Sequence, residues 1–324
     1  MAFQPTRRAL IGAAAATVAV PALAQPVAGG RTIRIIVPFG AGGAVDIVAR
    51  LVAQEIGPRL GQTVVVENRT GGGGNIAMEH VARSTPDGTT LLMASPSVIV
   101  NPHLYASLGY DQATQLAPLM LVGEVPSVMI APPSFEANDA RAFIAMARAR
   151  PGFFTFGSGG SGTTEHLASE LLKLRAGLDI LHVPYRGGAP AMTDLQAGRL
   201  SMMFTNLAQA LPLIRGGQFK VLGVADRQRH PALPDSPTFA EQGIEGINVT
   251  VWWGIIAPAG MPAETTQRLH AVLADSVASS TMTAALERLS AKPLGGSIES
   301  FAQRLSAEGR SWGEVIRGAN IRAE

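Results

Sequence analysis

Beyond residue 30 the chain alternates short, nearly continuous apolar runs with segments whose apolar positions recur every three or four residues. Ile33–Phe39 is such a run, the pattern of a strand buried on both faces. Val45, Val48, Val52 and Ile56 follow at helical spacing, and Gly57-Pro58 marks the expected end of that helix. Thr63–Glu67 and Thr90–Ala94 read as further strands, separated by a Gly71–Gly74 turn and a helix near Ile76–Arg83. This βαβαβ alternation predicts a mostly parallel α/β sheet.

The middle of the chain repeats the theme. A helix is expected over Arg141–Arg150, a strand at Phe153–Phe156, and a helical face made of Leu167, Leu171 and Leu174. Strand Ile180–Val183, a helix near Ala189–Ala197, and strands Leu200–Phe204 and Val221–Val224 follow. The loop Asp226–Pro237, rich in proline and polar residues, belongs on the surface. Val249–Ala257 is the longest late strand, and Pro262 opens a helix at its favoured first position. A last helix starts at Ser297, with Ile298, Phe301, Leu305, Trp312 and Ile316 on one face. Repeated α/β units with no linker between them point to two lobes joined by crossing strands.

Two glycine-rich turns stand out between an apolar run and a helical segment: Val37-Pro-Phe-Gly-Ala-Gly-Gly-Ala-Val-Asp46 and Phe156-Gly-Ser-Gly-Gly-Ser-Gly-Thr-Thr-Glu-His166. A strand that turns on glycines into a helix exposes backbone N–H groups at the helix's positive end, which attracts anions without any Lys or Arg. Two such turns, far apart in sequence, suggest one acidic ligand gripped from two sides. The reading is a binder, not an enzyme.

The N-terminus is unlike the rest. Arg7-Arg8 precedes the uncharged run Ala9–Ala19 and then Val20-Pro-Ala-Leu-Ala24, the layout of a signal peptide cleaved near Ala24. Thr6-Arg-Arg-Ala-Leu-Ile11 leaves twin-arginine and general secretory export both open. Without Arg7 and Arg8, the 26 basic residues fall to 24 and match the 24 acidic ones. A neutral mature chain without a Lys/Arg stripe excludes nucleic acid as a partner. The absence of cysteine rules out disulfides, thiolate chemistry and Cys-bearing zinc sites.

Several residues carry more than one reading. Gly157-Ser-Gly-Gly-Ser-Gly162 satisfies the dinucleotide pattern, but its distance-matched acid, Asp179, precedes the next strand instead of ending it, so no nicotinamide cofactor is expected. A hydrolase would pair Ser161 with His166, yet an elbow motif needs glycine where Thr163 stands, and the two lie poorly for contact on one helix. The six histidines show neither H-x-H nor H-E-x-x-H spacing, so no metal site is expected. Asp46 either answers its helix dipole, orders the loop or meets a ligand ammonium. One hydroxyl among Ser158, Ser161, Thr163 and Thr164 caps the second helix. Ser95, Ser97, Tyr185 and Asn206 follow carboxyl ends of strands, where open α/β sheets place ligands. For Trp252 and Trp253 core packing is the default.

These motifs together resemble the Bug/TctC solute receptors, the extracytoplasmic binding proteins of tripartite tricarboxylate transporters. The family's first signature stands here as Val37–Phe39, Gly42-Gly43, Asp46 and Ala49-Arg50. Further matches are Val66-Glu-Asn-Arg-Thr-Gly71, Val183-Pro-Tyr-Arg-Gly-Gly188, Arg229-His-Pro-Ala-Leu-Pro-Asp235 and Trp253-Gly-Ile-Ile-Ala-Pro258. Gly40-Ala41 departs from a frequent Pro-Pro pair. The resemblance implies a two-lobed periplasmic binding fold of type II character, each lobe a mostly parallel sheet flanked by helices. It divides the chain into a signal peptide (1–24), lobe one (25–126 and 250–324) and lobe two (127–249), with crossings near Val122–Ala131 and Gly246–Ala257. It further implies a monomeric receptor without a cofactor, which delivers a small organic acid to membrane transporter subunits. A secreted α/β enzyme acting on an acidic substrate, or a receptor feeding a sensor kinase, are the alternatives. The implied ligand contacts are Phe39, Ala41, Gly42, Gly43 and Asp46 from the first turn. From the second they are Ser158, Gly159, Gly160, Ser161, Gly162, Thr163 and His166, with Ser95, Ser97, Tyr185 and Asn206 at the ligand's far end.

Overall fold

The computed structural model describes residues 30–185 and 187–322; the expected signal peptide lies outside the described residues. Strand β1 (Ile33–Val37) runs parallel to both β2 (Val64–Asn68) and β3 (Thr90–Ala94). Ile33, Ile35, Ile36 and Val37 are fully buried, as a strand covered on both faces requires. Helix α1 (Ala44–Leu60) connects β1 to β2, and α2 (Asn75–Ala82) connects β2 to β3. After β3 come α3 (Ser97–Leu104) and the short α4 (Gln112–Gln115).

Strand β4 (Leu116–Ala131) is 16 residues long and joins everything else. Over Leu116–Pro126 it pairs antiparallel with β9 (Thr250–Pro258); from Ser127 onward its partners are β7 (Met202–Asn206) and β8 (Lys220–Val224). β7 in turn pairs parallel with β5 (Thr155–Ser158), and β5 with β6 (Leu181–Pro184), giving the order β2-β1-β3-β9-β4-β7-β5-β6. Helices α5 (Ala140–Ala149), α6 (Thr164–Ala176), α7 (Gly188–Gln196) and α8 (Leu207–Arg215) link these strands. α9 (Ala263–Val277), α10 (Ser280–Arg288), the two-residue β10 (Lys292–Pro293) and α11 (Ile298–Gly318) complete the described chain.

The core divides along the two faces of the sheet. Successive strand residues point to opposite faces, so Trp252 packs in one core with Phe301 while Trp253 packs in the other with α1 and α9 residues such as Val52 and Leu269. The Trp252 ring meets Phe301 edge-on at 5.5 Å, and its indole N–H donates to Glu308 at 2.8 Å. Among the described residues, no helix is long and apolar enough to cross a membrane.

Several sequence expectations shift. α1 runs through Gly57-Pro58 to Leu60 and stops at Gly61, whose φ of 64° supplies the left-handed cap. A proline in the last turn forfeits one hydrogen bond, a loss the buried face of the helix outweighs. β5 begins at Thr155, because Phe153 is 62% exposed and lies under the Arg150 guanidinium. Leu174 is 47% exposed; Leu172 joins Leu167 and Leu171 on the buried face. Pro262 is the N-cap of α9 instead of its first residue. The resemblance implies a crossing only near Val122–Ala131, whereas β4 starts at Leu116, a start that Pro118 argues against. Its pairing register shifts between Pro118 and Met120, the irregularity that accommodates the first proline.

Gly254, where β9 passes under α11, shows how closely these layers approach. A methyl group there would lie 2.5 Å from the Phe301 ring and 3.1 Å from the Met120 carbonyl oxygen. Gly254→Ala is therefore expected to cost about 1–3 kcal/mol through overpacking, read as a lower urea midpoint with an unchanged slope.

Candidate functional site

The first glycine turn carries β1 into α1 with no side chain capping the helix. Gly42 takes a φ of 82°, and Gly43 is extended at φ −74° and ψ 163°. The turn is set from below by Asp46, which is 2% exposed. One Asp46 oxygen accepts from the Gly42 N–H at 2.9 Å and from Arg50 Nε at 3.0 Å. The other accepts from Arg50 Nη2 at 3.0 Å and Asn68 Nδ2 at 2.9 Å. Asn68 also donates to the Phe39 carbonyl at 2.9 Å, which ties β2 to the same turn. The Arg50 hydrogen bonds hold the Asp46 carboxyl down to about 2, against burial and with help from Gly42 and Asn68. Of the readings open for Asp46, loop ordering is the one its contacts display.

The second turn carries β5 into α6. Gly160 and Gly162 have φ of 130° and 79°, and a side chain at Gly162 would run into Leu104 of α3. Thr163 caps α6, its hydroxyl accepting from the His166 N–H at 3.4 Å and donating to the Gly160 carbonyl at 2.8 Å. Ser158, fully buried, accepts from the Gly160 N–H at 3.1 Å. His166 is 6% exposed, and its Nδ1 accepts from the Gly162 N–H at 3.0 Å. That bond uses the ring nitrogen to order the turn, with no hydrogen bond to Ser161 among the described residues.

Both turns open onto one cavity of about 380 Å³. Four helix N-termini reach its wall: α1 through Gly43, Ala44 and Val45; α3 through Ser95 and Ser97; α6 through Ser161 to Thr164; and α8 through Asn206 and Gln209. Among the described residues no lysine or arginine lines it, and Glu165 is the charged residue on the wall. Each helix start carries roughly half a positive charge, because its first N–H groups lack partners within the helix. Among the described residues, the positive character at the cavity wall comes from backbone N–H groups.

Of the expected site residues, Phe39, Gly43, Ser95, Ser97, Ser161, Gly162, Thr163 and Asn206 line this cavity. Asn206 does so while capping α8, its carbonyl oxygen accepting from the Gln209 N–H at 3.0 Å. Ala41 and Gly42 occupy the exposed tip of the first turn. Asp46 lies beneath the first turn; Ser158 and His166 are buried beneath the second, where Gly159 and Gly160 form its half-buried upstream limb. The Tyr185 hydroxyl donates to Asp194 at 2.7 Å, tethering β6 to α7. Sequence reading missed Gly73, Ser127, Val251 and Trp253, all on the cavity wall. Trp253 is the informative one: it is fully buried and its indole N–H has no partner among the described residues. A buried donor left open beside a cavity is a place for a ligand or water acceptor. The alternation of β9 separates Trp253 from Trp252, but the open N–H emerges only in three dimensions.

The family model for the tripartite tricarboxylate transporter family receptor, TctC, matches residues 48–321. The chain belongs to that family. Protein BugT of Bordetella pertussis is 33% identical over 313 residues, covering 94% of this chain and 96% of BugT. Among solved structures, R. palustris Rpa4515 with adipate superposes with a TM-score of 0.79 at 34% identity, covering 90% of this chain and 98% of the other. MatC from Rhodopseudomonas palustris, solved with bound malate, gives a TM-score of 0.76 at 30% identity, covering 88% and 99%. The fold is therefore that of the two-lobed periplasmic binding proteins, and the chain is a solute-binding receptor of the TctC type.

For such a receptor the Asp46 network predicts a measurable signature. Asp46→Asn keeps the shape but removes the charge facing Arg50, so at pH 7 it should cost about 2 kcal/mol in urea unfolding. A depressed carboxyl stabilises the folded chain above its unfolded value of 3.8 and loses that contribution as pH falls toward about 2. The gap between wild type and variant should accordingly close between pH 4 and pH 2.

Proposed function

We propose that this receptor captures a small carboxylate in the cavity between its two glycine turns and delivers it to membrane transporter subunits. The convergence of four helix N-termini on one cavity carries the reading. Four half-charges amount to roughly two positive charges, which Glu165 reduces, and so suit an anion of one or two charges. A volume of about 380 Å³ lies within the range of small-molecule sites. The similar proteins solved with adipate and with malate hold dicarboxylates, and a dicarboxylate is the first ligand class to test.

In this reading the first carboxylate sits against the free amides of α1 and the turn of α6, with Ala41 and Gly42 meeting it as the lobes close. The far end meets Ser95, Ser97, Asn206 and the open indole N–H of Trp253. Lobe one comprises 25–126 and 250–324, lobe two 127–249, and closure about β4 and β9 brings the turns together. A ligand that touches both turns binds the closed state better than the open one, and that difference drives closure.

A thermal-shift panel of adipate, malate, citrate, amino acids and amides tests the class. A ligand at 100 times its Kd should stabilise by about 2.7 kcal/mol, a clear rise in Tm. Silence across the acids alongside a response to a nucleotide would refute the carboxylate reading. Gly43→Leu supplies a site-directed check. Gly43 has an extended backbone, and a β-carbon there meets only the Gly40 carbonyl oxygen, at 3.5 Å, so the fold should tolerate the change. Binding of the panel's hit should be lost at unchanged Tm; retained affinity would remove the first turn from the site.

A further inference from the structure

Beneath the second glycine turn three aromatic rings stack face to face. Phe156 of β5 and His182 of β6 are register partners in the parallel ladder, and their rings lie 4.8 Å apart at 16°. α6 then lays His166 over His182 at 3.9 Å and 8°. Each histidine engages the turn above. His166 Nδ1 accepts from the Gly162 N–H at 3.0 Å. His182 Nε2 shares a 2.7 Å hydrogen bond with the Ser158 hydroxyl, which itself accepts from the Gly160 N–H at 3.1 Å. The turn's two left-handed glycines are therefore each hydrogen-bonded, directly or through one hydroxyl, to an imidazole, the buried His166 or the half-buried His182.

We propose that His166 and His182 are the positioning residues of the second turn: neutral, they hold Gly160 and Gly162 in the ligand-ready form, and charged, they let the turn open. The ligand consequence rests on the carboxylate reading above. A protonated Nδ1 can no longer accept from Gly162, so an N–H would face an N–H. Two charged rings at 3.9 Å, one buried and one half-buried, would also repel each other. The surroundings offer little relief. β5 contributes Phe156 and Ser158, which carry no charge. α6 contributes Lys173, 5.7 Å from the Phe156 ring, and Glu170, 3.9 Å from His166 Nε2 but already paired with Lys173 at 2.8 Å. Helix α11 packs on α6 and brings no ion pair or hydrogen bond to either ring among the described residues.

The direction of the effect follows from the same environment. Burial, then the charges of His182 and Lys173, pushes His166 down to about 4; burial and Lys173 push His182 down to about 4. An opened turn frees the rings to return toward their ordinary value of 6.5. Opening is thus proton-linked between pH 6.5 and about 4, favoured as pH falls, and level below that window.

Amide hydrogen exchange, read at Gly160 and Gly162 by NMR in the whole mature chain, tests this without any ligand. The opening equilibrium should rise about tenfold per pH unit for each coupled proton on going from pH 6.5 to 4, with the imidazole carbon shifts of both histidines titrating low. The double substitution His166→Asn with His182→Gln keeps acceptors near both positions and cannot titrate, so its exchange should stay flat after correction for intrinsic rates. Wild-type exchange that is independent of pH across the window, or the same pH dependence in the double variant, would overturn the proposal. Adipate adds the second arm. Its dissociation should quicken more steeply with acid in wild type than in the double variant, because the ligand's own carboxylates titrate alike in both. A proton-linked turn together with no binding of adipate, malate or citrate would instead sink the carboxylate reading while the positioning role stands.

Discussion

The antiparallel pairing of β4 with β9 is the constraint on which the rest depends, because it is where both halves of the sheet meet. β4 pairs with β9 up to Pro126 and with β7 and β8 from Ser127. A sheet that exchanges partners along one strand must present both faces to helices, and Trp252 and Trp253 show the result as neighbouring residues in different cores. The same strands form the floor of the cavity, through Ser127, Val251 and Trp253. The interaction that joins the halves thus also supplies the site's one buried indole donor without a partner among the described residues.

The cavity draws its positive character from helix ends, and helix ends impose a requirement that a lysine would not. A flexible ammonium can follow a ligand; a backbone N–H points where the turn points. The two turns meet that requirement by different chemistry. Asp46 holds the first through a charged network that also engages Arg50 and Asn68. A carboxylate beside an anion site would ordinarily repel the ligand, but here both oxygens are occupied and the guanidinium offsets the charge. The second turn stands on uncharged groups, the Ser158 hydroxyl and two imidazoles.

Much of this architecture was legible beforehand because it follows from local rules. Thr90–Ala94 matches β3 residue for residue, and Ser297 caps the last helix as expected. The glycine turns were legible because positive φ at Gly42, Gly160 and Gly162 leaves little choice of residue. What escaped notice depends on distant partners. Pro118 hid the start of β4 since its register shift depends on β9, and α3 and α8 were masked by attention to the polar residues that begin them. At the site, Gly43, Ser95, Ser161 and Asn206, each following a strand's carboxyl end, line the cavity wall. Trp253 was not legible there, because whether an indole N–H finds a partner is decided by neighbours that other elements bring to it. His182 was likewise silent: a lone histidine in a short strand gains meaning only when β5 and α6 stack rings upon it.

The contrast between the two turns has a consequence for how the site responds to its surroundings. Asp46 is held at about 2 and stays ionised throughout the range in which the histidines respond. The first turn is therefore indifferent to mild acid, while the second, resting on groups that must stay neutral, is not. Had both turns been built on charged networks, the cavity would tolerate acid on either side. Had both been built on histidines, acid would dismantle the site altogether. One fixed jaw and one proton-sensitive jaw leave a ligand still attached at α1 when the grip of α6 relaxes. In the proposed reading, release begins on the α6 side.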